Sequence, residues 1–250
     1  MYNTMAFDIV IVGAGPGGLA CAKKTAAVGL STLVLERKEA IGTKVCAGGI
    51  TWNGLIGKIS DDLVERQFSK QYIYTRRQQV CLYSDAPIIA TVDRQKLGQW
   101  MADRARQAGA VVRSYCRVTA LRRNSLTFRD QSTGNEHEVS YRYLVGCDGS
   151  ASIVRRFLGL STRAMGIGIN YQLKGEYANM EWHLDSKLFR SGYAWVFPHK
   201  KTVSIGAYCD RSVLNAQALH SSLKSWSAHR GFSLGSSEVK AEGINFDYQG

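Results

Sequence analysis

The stretch DIVIVGAGPGGLACAKKTAAVGLSTLVLERK, residues 8–38, decides how this chain folds. Residues 9–12 are a continuous apolar run, the pattern of a parallel strand buried on both faces. Gly13, Gly15 and Gly18 then form G-x-G-x-x-G, with Pro16 and Gly17 between them, and lead into a helical stretch. Each glycine has its own reason. Gly13 allows the tight turn, Gly15 lets the backbone approach a pyrophosphate, and Gly18 lets helix and strand pack closely. The helix N-terminus faces the phosphates. After Gly29, STLVLE reads as a second strand ending at Glu36, followed by Arg37. A carboxylate there can bind ribose hydroxyls and repels a 2′-phosphate, which favours FAD or NAD over NADP.

Composition sets the bounds. With 250 residues, 45% of them hydrophobic, and three prolines, the chain has ample core for one or two globular domains. Six scattered cysteines form no CxxC pair and no Cys/His cluster, so reduced thiols, a cytoplasmic location and no metal are expected. The N-terminal apolar run has no basic leader and is interrupted by Asp8, and no segment reaches the roughly 18 apolar residues of a spanning helix. The formal charge of +12 is spread over pairs such as Arg76-Arg77 and Lys200-Lys201. Dinucleotide phosphates, a lipid phosphate or peripheral contact with an anionic membrane surface fit this charge; no nucleic-acid recognition motif is present.

Residues 141–156, YRYLVGCDGSASIVRR, read as a strand running into Asp148 and Gly149. They resemble the D-G-x-x-S-x-V-R signature of flavoproteins with the para-hydroxybenzoate hydroxylase type of fold. The resemblance implies FAD as cofactor, with the aspartate near the flavin and near the path of a reducing nicotinamide. Arg94, in TVDRQKLGQW, resembles the family's arginine at the start of a helix that reaches the flavin. That helix is legible independently: Leu97, Trp100, Met101, Arg104, Ala105 and Ala108 trace one stripe, ended by Gly109. KVCAGGI, residues 44–50, resembles the K-x-C-G-G/A-G stretch that lines the flavin in the geranylgeranyl reductase branch, with Ala47 where glycine is commoner, beside Cys46 and Gly48.

GYAWVFP, residues 192–198, resembles that branch's Y-x-W-x-F-P motif, which walls the substrate cavity. Strand periodicity places Tyr193, Trp195 and Phe197 on one face and Ala194 and Val196 on the other, with HKK as a solvated turn and residues 202–208 returning. Packing alone would account for such a strand. The resemblance adds a chemistry. Isolated C=C bonds of a prenyl chain accept hydride poorly, so protonation to a tertiary cation before hydride delivery from flavin is the expected order, and aromatic faces stabilise such a cation. Cys46 is either a proton donor or gate, or a small buried hydrophobe. His183, His199 and His220 carry no partner pattern and are expected at the surface.

The expected architecture is α/β with an α+β second layer. A Rossmann-like FAD-binding domain, residues 1–50 and 90–160, contains a β-meander over 111–145 with a turn at Thr133-Gly134-Asn135. An antiparallel-sheet substrate domain, residues 51–89 and 161–250, carries GYAWVFP and a helix over 212–229 with Val213, Leu219, Leu223 and Trp226 on its apolar side. The resemblance calls for a third FAD element reading G-D-A-A-G, which does not occur in the chain, while GINFDYQG resembles its lead-in. The substrate domain is thus expected to be incomplete at the C-terminus, in a fragment or a naturally shortened product. The function implied is FAD-dependent reduction of a prenyl lipid with electrons from NAD(P)H. An aromatic-hydroxylase-like monooxygenase and a shortened, non-catalytic prenyl-lipid or nucleotide binder are the alternatives.

Overall fold

The computed structural model describes residues 5–51, 58–235 and 237–247. In chain order the first half comprises β1 (Met5–Val12), α1 (Pro16–Ala27), β2 (Thr32–Leu35), β3 (Gly49–Thr51), β4 (Val64–Phe68), β5 (Lys70–Thr75), β6 (Gln79–Tyr83), β7 (Ile89–Val92) and α2 (Arg94–Gln107). The second comprises β8 (Val111–Arg113), β9 (Cys116–Leu121), β10 (Ser125–Asp130), β11 (Glu136–Gly146), α3 (Ile153–Phe157), β12 (Met165–Lys174), β13 (Glu181–Leu184), α4 (Ser186–Phe189), β14 (Tyr193–Pro198), β15 (Thr202–Asp210), α5 (Ala216–His229) and β16 (Lys240–Asn245). Two compact units emerge: residues up to Lys44 with Arg94–Ser161, and Val45–Asp93 with the chain from Thr162 onward.

The first unit is built on a six-stranded sheet in the order β8-β2-β1-β11-β10-β9. β1 pairs in parallel with β2 and β11, so the apolar run at 9–12 is central and buried on both faces. Ile9 and Ile11 pack with Leu19, Ala22 and Ala26 of α1 and Ala102 and Ala105 of α2, whereas Val10 and Val12 pack with Leu126, Phe128 and Val139. The antiparallel meander is β9-β10-β11 alone, turning through residues 131–135. Residues 111–113 leave the expected meander: β8 pairs in parallel with β2 at the opposite edge. It follows α2, whose Ala102 and Ala105 pack with Ala22 and Ala26 of α1, and Val112 of β8 packs against the same cluster, which lays the strand beside β2. The buried residues of α2 are Leu97, Gly98, Ala102 and Ala105. Arg104, placed on the apolar stripe by periodicity, is exposed.

The second unit holds a seven-stranded sheet, β16-β12-β15-β14-β13-β5-β6, and a three-stranded sheet, β3-β7-β4. One face of β12, β14 and β15 packs on Leu219, Leu223 and Trp226 of α5. This helix begins later than its apolar pattern suggests. The Asn215 side chain accepts from Ala218 N at 2.9 Å and caps it, while Asp210 ties Ser212 into the preceding turn. Val213, expected on the apolar side, is therefore outside the helix and exposed. Residues 45–50, grouped by sequence with the FAD-binding domain, belong to this unit because Gly49–Thr51 pairs antiparallel with β7. Residues 248–250 of the GINFDYQG ending lie outside the described residues. Among the described residues no helix is long and apolar enough to cross a membrane.

Candidate functional site

In the first unit the glycine turn is held from beneath by backbone. Gly13 N donates to Leu35 O at 2.8 Å and Cys147 N to Val12 O at 2.8 Å, fastening the turn to β2 and to the end of β11. Gly13 has φ +101°, and a Cβ there would lie 2.4 Å from Cys147 O. A Cβ on Gly18 would lie 2.0 Å from Gly13 O, so α1 can approach the turn only through glycine. Gly15 and Gly17 differ: a Cβ on Gly15 would meet only Cys147 O at 3.9 Å, and on Gly17 nothing within 4 Å. Two glycines thus serve packing, and two leave open space at a helix start.

Gly15 is the N-cap of α1, no side chain caps it, and Pro16 opens the helix. Such a terminus presents backbone N–H groups and the positive end of the helix dipole to an anion. Glu36 ends β2 beside it. Its Oε2 accepts from Ala14 N at 2.8 Å and its Oε1 from Lys38 N at 2.9 Å. A carboxylate offers about four lone-pair positions, so two remain for ribose hydroxyls. The uncapped helix, the open glycines and this carboxylate fit the adenosine and pyrophosphate portion of FAD. Arg37 is exposed, and its carbonyl accepts from the Gln131 side chain.

Asp148 is occupied within its own loop: Oδ1 accepts from Ser152 Oγ at 2.5 Å and Oδ2 from Ile153 N at 2.6 Å. Ser152 in turn accepts from Arg155 N and caps α3. Val154 packs where a Cβ on Gly146 would sit, 2.8 Å away, and Gly149 turns the chain at φ +80°. The D-G-x-x-S-x-V-R spacing is therefore a loop-to-helix lock. Arg94 opens α2, with its carbonyl 2.5 Å from where a Cβ on Gly42 would be, and Gly98 meets Gly42 equally closely. Among the described residues, the Nε atoms of Arg94 and Arg155 are buried without a hydrogen-bond partner. An orphaned buried donor is costly unless an anionic or carbonyl group meets it, which fits a bound cofactor.

The second unit brings KVCAGGI and GYAWVFP into one assembly. Trp195 and Phe197 are buried with Phe68, Ile89 and Met180, and Ala47, Trp182, Tyr193 and Tyr208 pack against them. Trp182 meets Phe197 edge-on at 4.9 Å and Tyr193 at 5.2 Å. Trp195 lies over Gly206, whose Cβ would fall 2.2 Å from the indole, and its Nε1 donates to Ser204 Oγ at 3.0 Å. Ser204 Oγ donates onward to Asn170 Oδ1 at 2.5 Å. Ala194 and Val196 face α5 instead, as period two requires. Cys46 is exposed and accepts from Gly48 N at 3.4 Å, which excludes its reading as a buried hydrophobe. Burial above all, then Tyr208 and the Cys46 thiol, pushes the Tyr193 phenol above its ordinary range.

Of the three histidines expected at the surface, two are in the interior and His220 is half-buried. His183 and His199 are buried, and His220 is hydrogen-bonded to Tyr171 Oη at 2.5 Å. His183 joins Glu181 and Arg230 at 2.9 Å each on Glu181 Oε2 and stacks on Tyr74. His199, read as part of a solvated HKK turn, reaches Glu65 through Nδ1 at 2.5 Å and Ala47 O through Nε2 at 2.9 Å. Lys200 and Lys201 are the exposed part of that turn. Sequence offers no signal for this pair, since Glu65 and Ala47 are more than a hundred residues upstream. A shallow groove of about 460 Å³ at the β5–β6 turn, lined by Arg76, Arg77 and Ser186 among others, contains none of the sequence-predicted residues.

Comparison with known proteins places these features. The chain is 30% identical over 213 residues to digeranylgeranylglycerophospholipid reductase 2 of Methanopyrus kandleri, covering 78% of this chain and 52% of that protein. It is 28% identical to geranylgeranyl diphosphate reductase of Rhodobacter capsulatus, over 81% of this chain and 54% of that one. The chain thus spans about half the length of these curated relatives. A crystal structure described as geranylgeranyl bacteriochlorophyll reductase-like, from Thermoplasma acidophilum, superposes with TM-score 0.86 at 22% identity, covering 97% of this chain and 67% of that one. The FAD binding domain family matches residues 6–173, the span that holds the glycine turn, Glu36, Arg94 and Asp148, and the chain belongs to that family.

Proposed function

We propose that this chain carries the FAD-binding and prenyl-facing parts of a reductase that saturates isolated C=C bonds of a geranylgeranyl-type lipid, with NAD(P)H as electron donor. The observation that carries the reading is the assembly of Cys46 with Tyr193, Trp195 and Phe197 in one unit; the names of the curated relatives support it. Gly13, Gly15, Pro16, Gly17, Gly18, Glu36 and Arg37 would hold the dinucleotide, and Arg94, Cys46, Ala47, Gly48, Asp148 and Gly149 the flavin portion. FAD, when bound and reduced, supplies hydride.

The protein's own part is to make an unactivated alkene accept it. Protonation at one carbon leaves positive charge on the more substituted neighbour, and aromatic faces stabilise such a charge by about 0.5–2 kcal/mol each. Tyr193, Trp195 and Phe197 supply such rings and an apolar wall that excludes water. Cys46, exposed and beside the Tyr193 phenol, is placed to hold or pass a proton. Scattered basic residues suit peripheral contact with an anionic membrane surface.

The test is anaerobic incubation of the chain with FAD, a chemical reductant and a geranylgeranyl lipid, followed by mass spectrometry. Gain of two hydrogens per double bond supports the proposal. An oxygenated product with oxygen consumption would replace it with the monooxygenase reading. Lipid binding without turnover would leave a binder.

A further inference from the structure

His199 does more than fill space after the aromatic strand. Its ring sits where a Cβ on Gly48 would be, with Cε1 at 2.5 Å, and Phe197 sits where a Cβ on Gly49 would be, with Cε2 at 2.6 Å. The consecutive glycines of KVCAGGI are therefore shaped to receive two side chains of the β14 segment. Hydrogen bonds fasten the fit: His199 Nε2 to Ala47 O, His199 Nδ1 to Glu65, and Thr91 Oγ1 donating to Pro198 O at 2.8 Å. The Ala47 carbonyl only accepts, so Nε2 carries a proton, and Nδ1 and the Glu65 carboxyl share another. Val92 N donates to Gly48 O at 3.0 Å in the same loop.

We infer that His199, held by Glu65, is a positioning residue that latches the Cys46–Gly48 loop to the aromatic strand and thereby sets the presentation of the Cys46 thiol. The flavin-side meaning of that loop rests on the proposed function; the latch does not. Cys46 is the reporter. It is exposed, as is Cys81 on β6 of the same unit, whereas Cys116 and Cys209 are buried.

The experiment is alkylation of the full chain with iodoacetamide at one pH, resolved by peptide mass spectrometry as the rate at Cys46 relative to Cys81. His199→Ala should change that ratio by about three- to tenfold, the scale of one lost hydrogen bond, and His199→Gln, whose amide N–H can reach Ala47 O, should bring it back toward the parent. Cys116 and Cys209 should stay unreactive, which shows the fold intact. If His199→Ala exposes them, Glu65→Ala on the half-exposed β4 strand takes its place, with the same shift expected. An unchanged Cys46 ratio in the variant that remains folded overturns the latch, as does failure of His199→Gln to restore an altered ratio. A parallel FAD titration separates the two readings: an altered ratio with unaltered FAD affinity supports the latch and counts against a flavin-side role for the loop.

Discussion

A methyl group on Gly15 should separate cofactor binding from folding. Gly15 has φ −72°, which any residue adopts, and a Cβ there would stand in ordinary contact with Cys147 O at 3.9 Å. Gly15→Ala should cost no more than about 1 kcal/mol, the difference between glycine and alanine at an N-cap. The same methyl occupies the open side on which a pyrophosphate must approach. A hydrogen bond from backbone to a charged group contributes about 1.5–3 kcal/mol, so losing one lowers FAD affinity about 10- to 100-fold. Gly18→Ala should do the reverse, since its Cβ would lie 2.0 Å from the Gly13 carbonyl and backbone must shift. A cost of about 3 kcal/mol or more is expected there, lowering Tm by about 6–12 °C. Gly17→Ala, whose Cβ also meets open space at the same helix start, should lower FAD affinity likewise with no loss of stability. Urea denaturation gives the stability of each variant, and quenching of flavin fluorescence on titration gives affinity. Gly15→Ala binding FAD as the parent does, or losing stability and affinity in step, would refute the assignment of this turn.

Other consequences are equally concrete. Trp195→Ala removes a buried indole and leaves Ser204 without its donor, which should cost about 3–5 kcal/mol by chemical denaturation; Trp195→Phe should cost markedly less, and with the fold retained should weaken prenyl-lipid binding more than FAD binding. Ser152→Ala unties both the α3 cap and Asp148, and a loss of about 1–2 kcal/mol is expected in a thermal melt. Burial, then Lys224 nearby, holds His220 below its ordinary value of 6.5. The unfolded chain therefore binds that proton first, so the contribution of His220 to stability is present above about pH 6.5 and is lost as pH falls below it. His220→Gln should flatten that slope in urea midpoints measured across pH 5–8.

Local pattern was sufficient wherever the physics is local. Residues 8–36 read correctly as strand, turn, helix and strand because one buried run, three spaced glycines and a terminal carboxylate each have a short-range cause. Period two likewise separates Tyr193, Trp195 and Phe197 from Ala194 and Val196, since a strand allows no other division. The sequence could not show that Asp148 spends both oxygens on Ser152 and Ile153, although the spacing of that lock lies within a few residues.

Tertiary structure decided whatever depends on partners distant in sequence. Residues 111–113 joined β2 because α2 packs on α1 and Val112 joins the same apolar cluster, which no pattern in three residues can announce. His183 and His199 are buried because Glu181, Arg230, Glu65 and the Ala47 carbonyl satisfy them, and burial of a polar ring is settled by partners rather than by its neighbours in the chain. The two glycines of KVCAGGI carry the same lesson. Sequence alone marks them as a tight or open place, but only the fold shows that the rings of His199 and Phe197 fill the space their missing side chains leave.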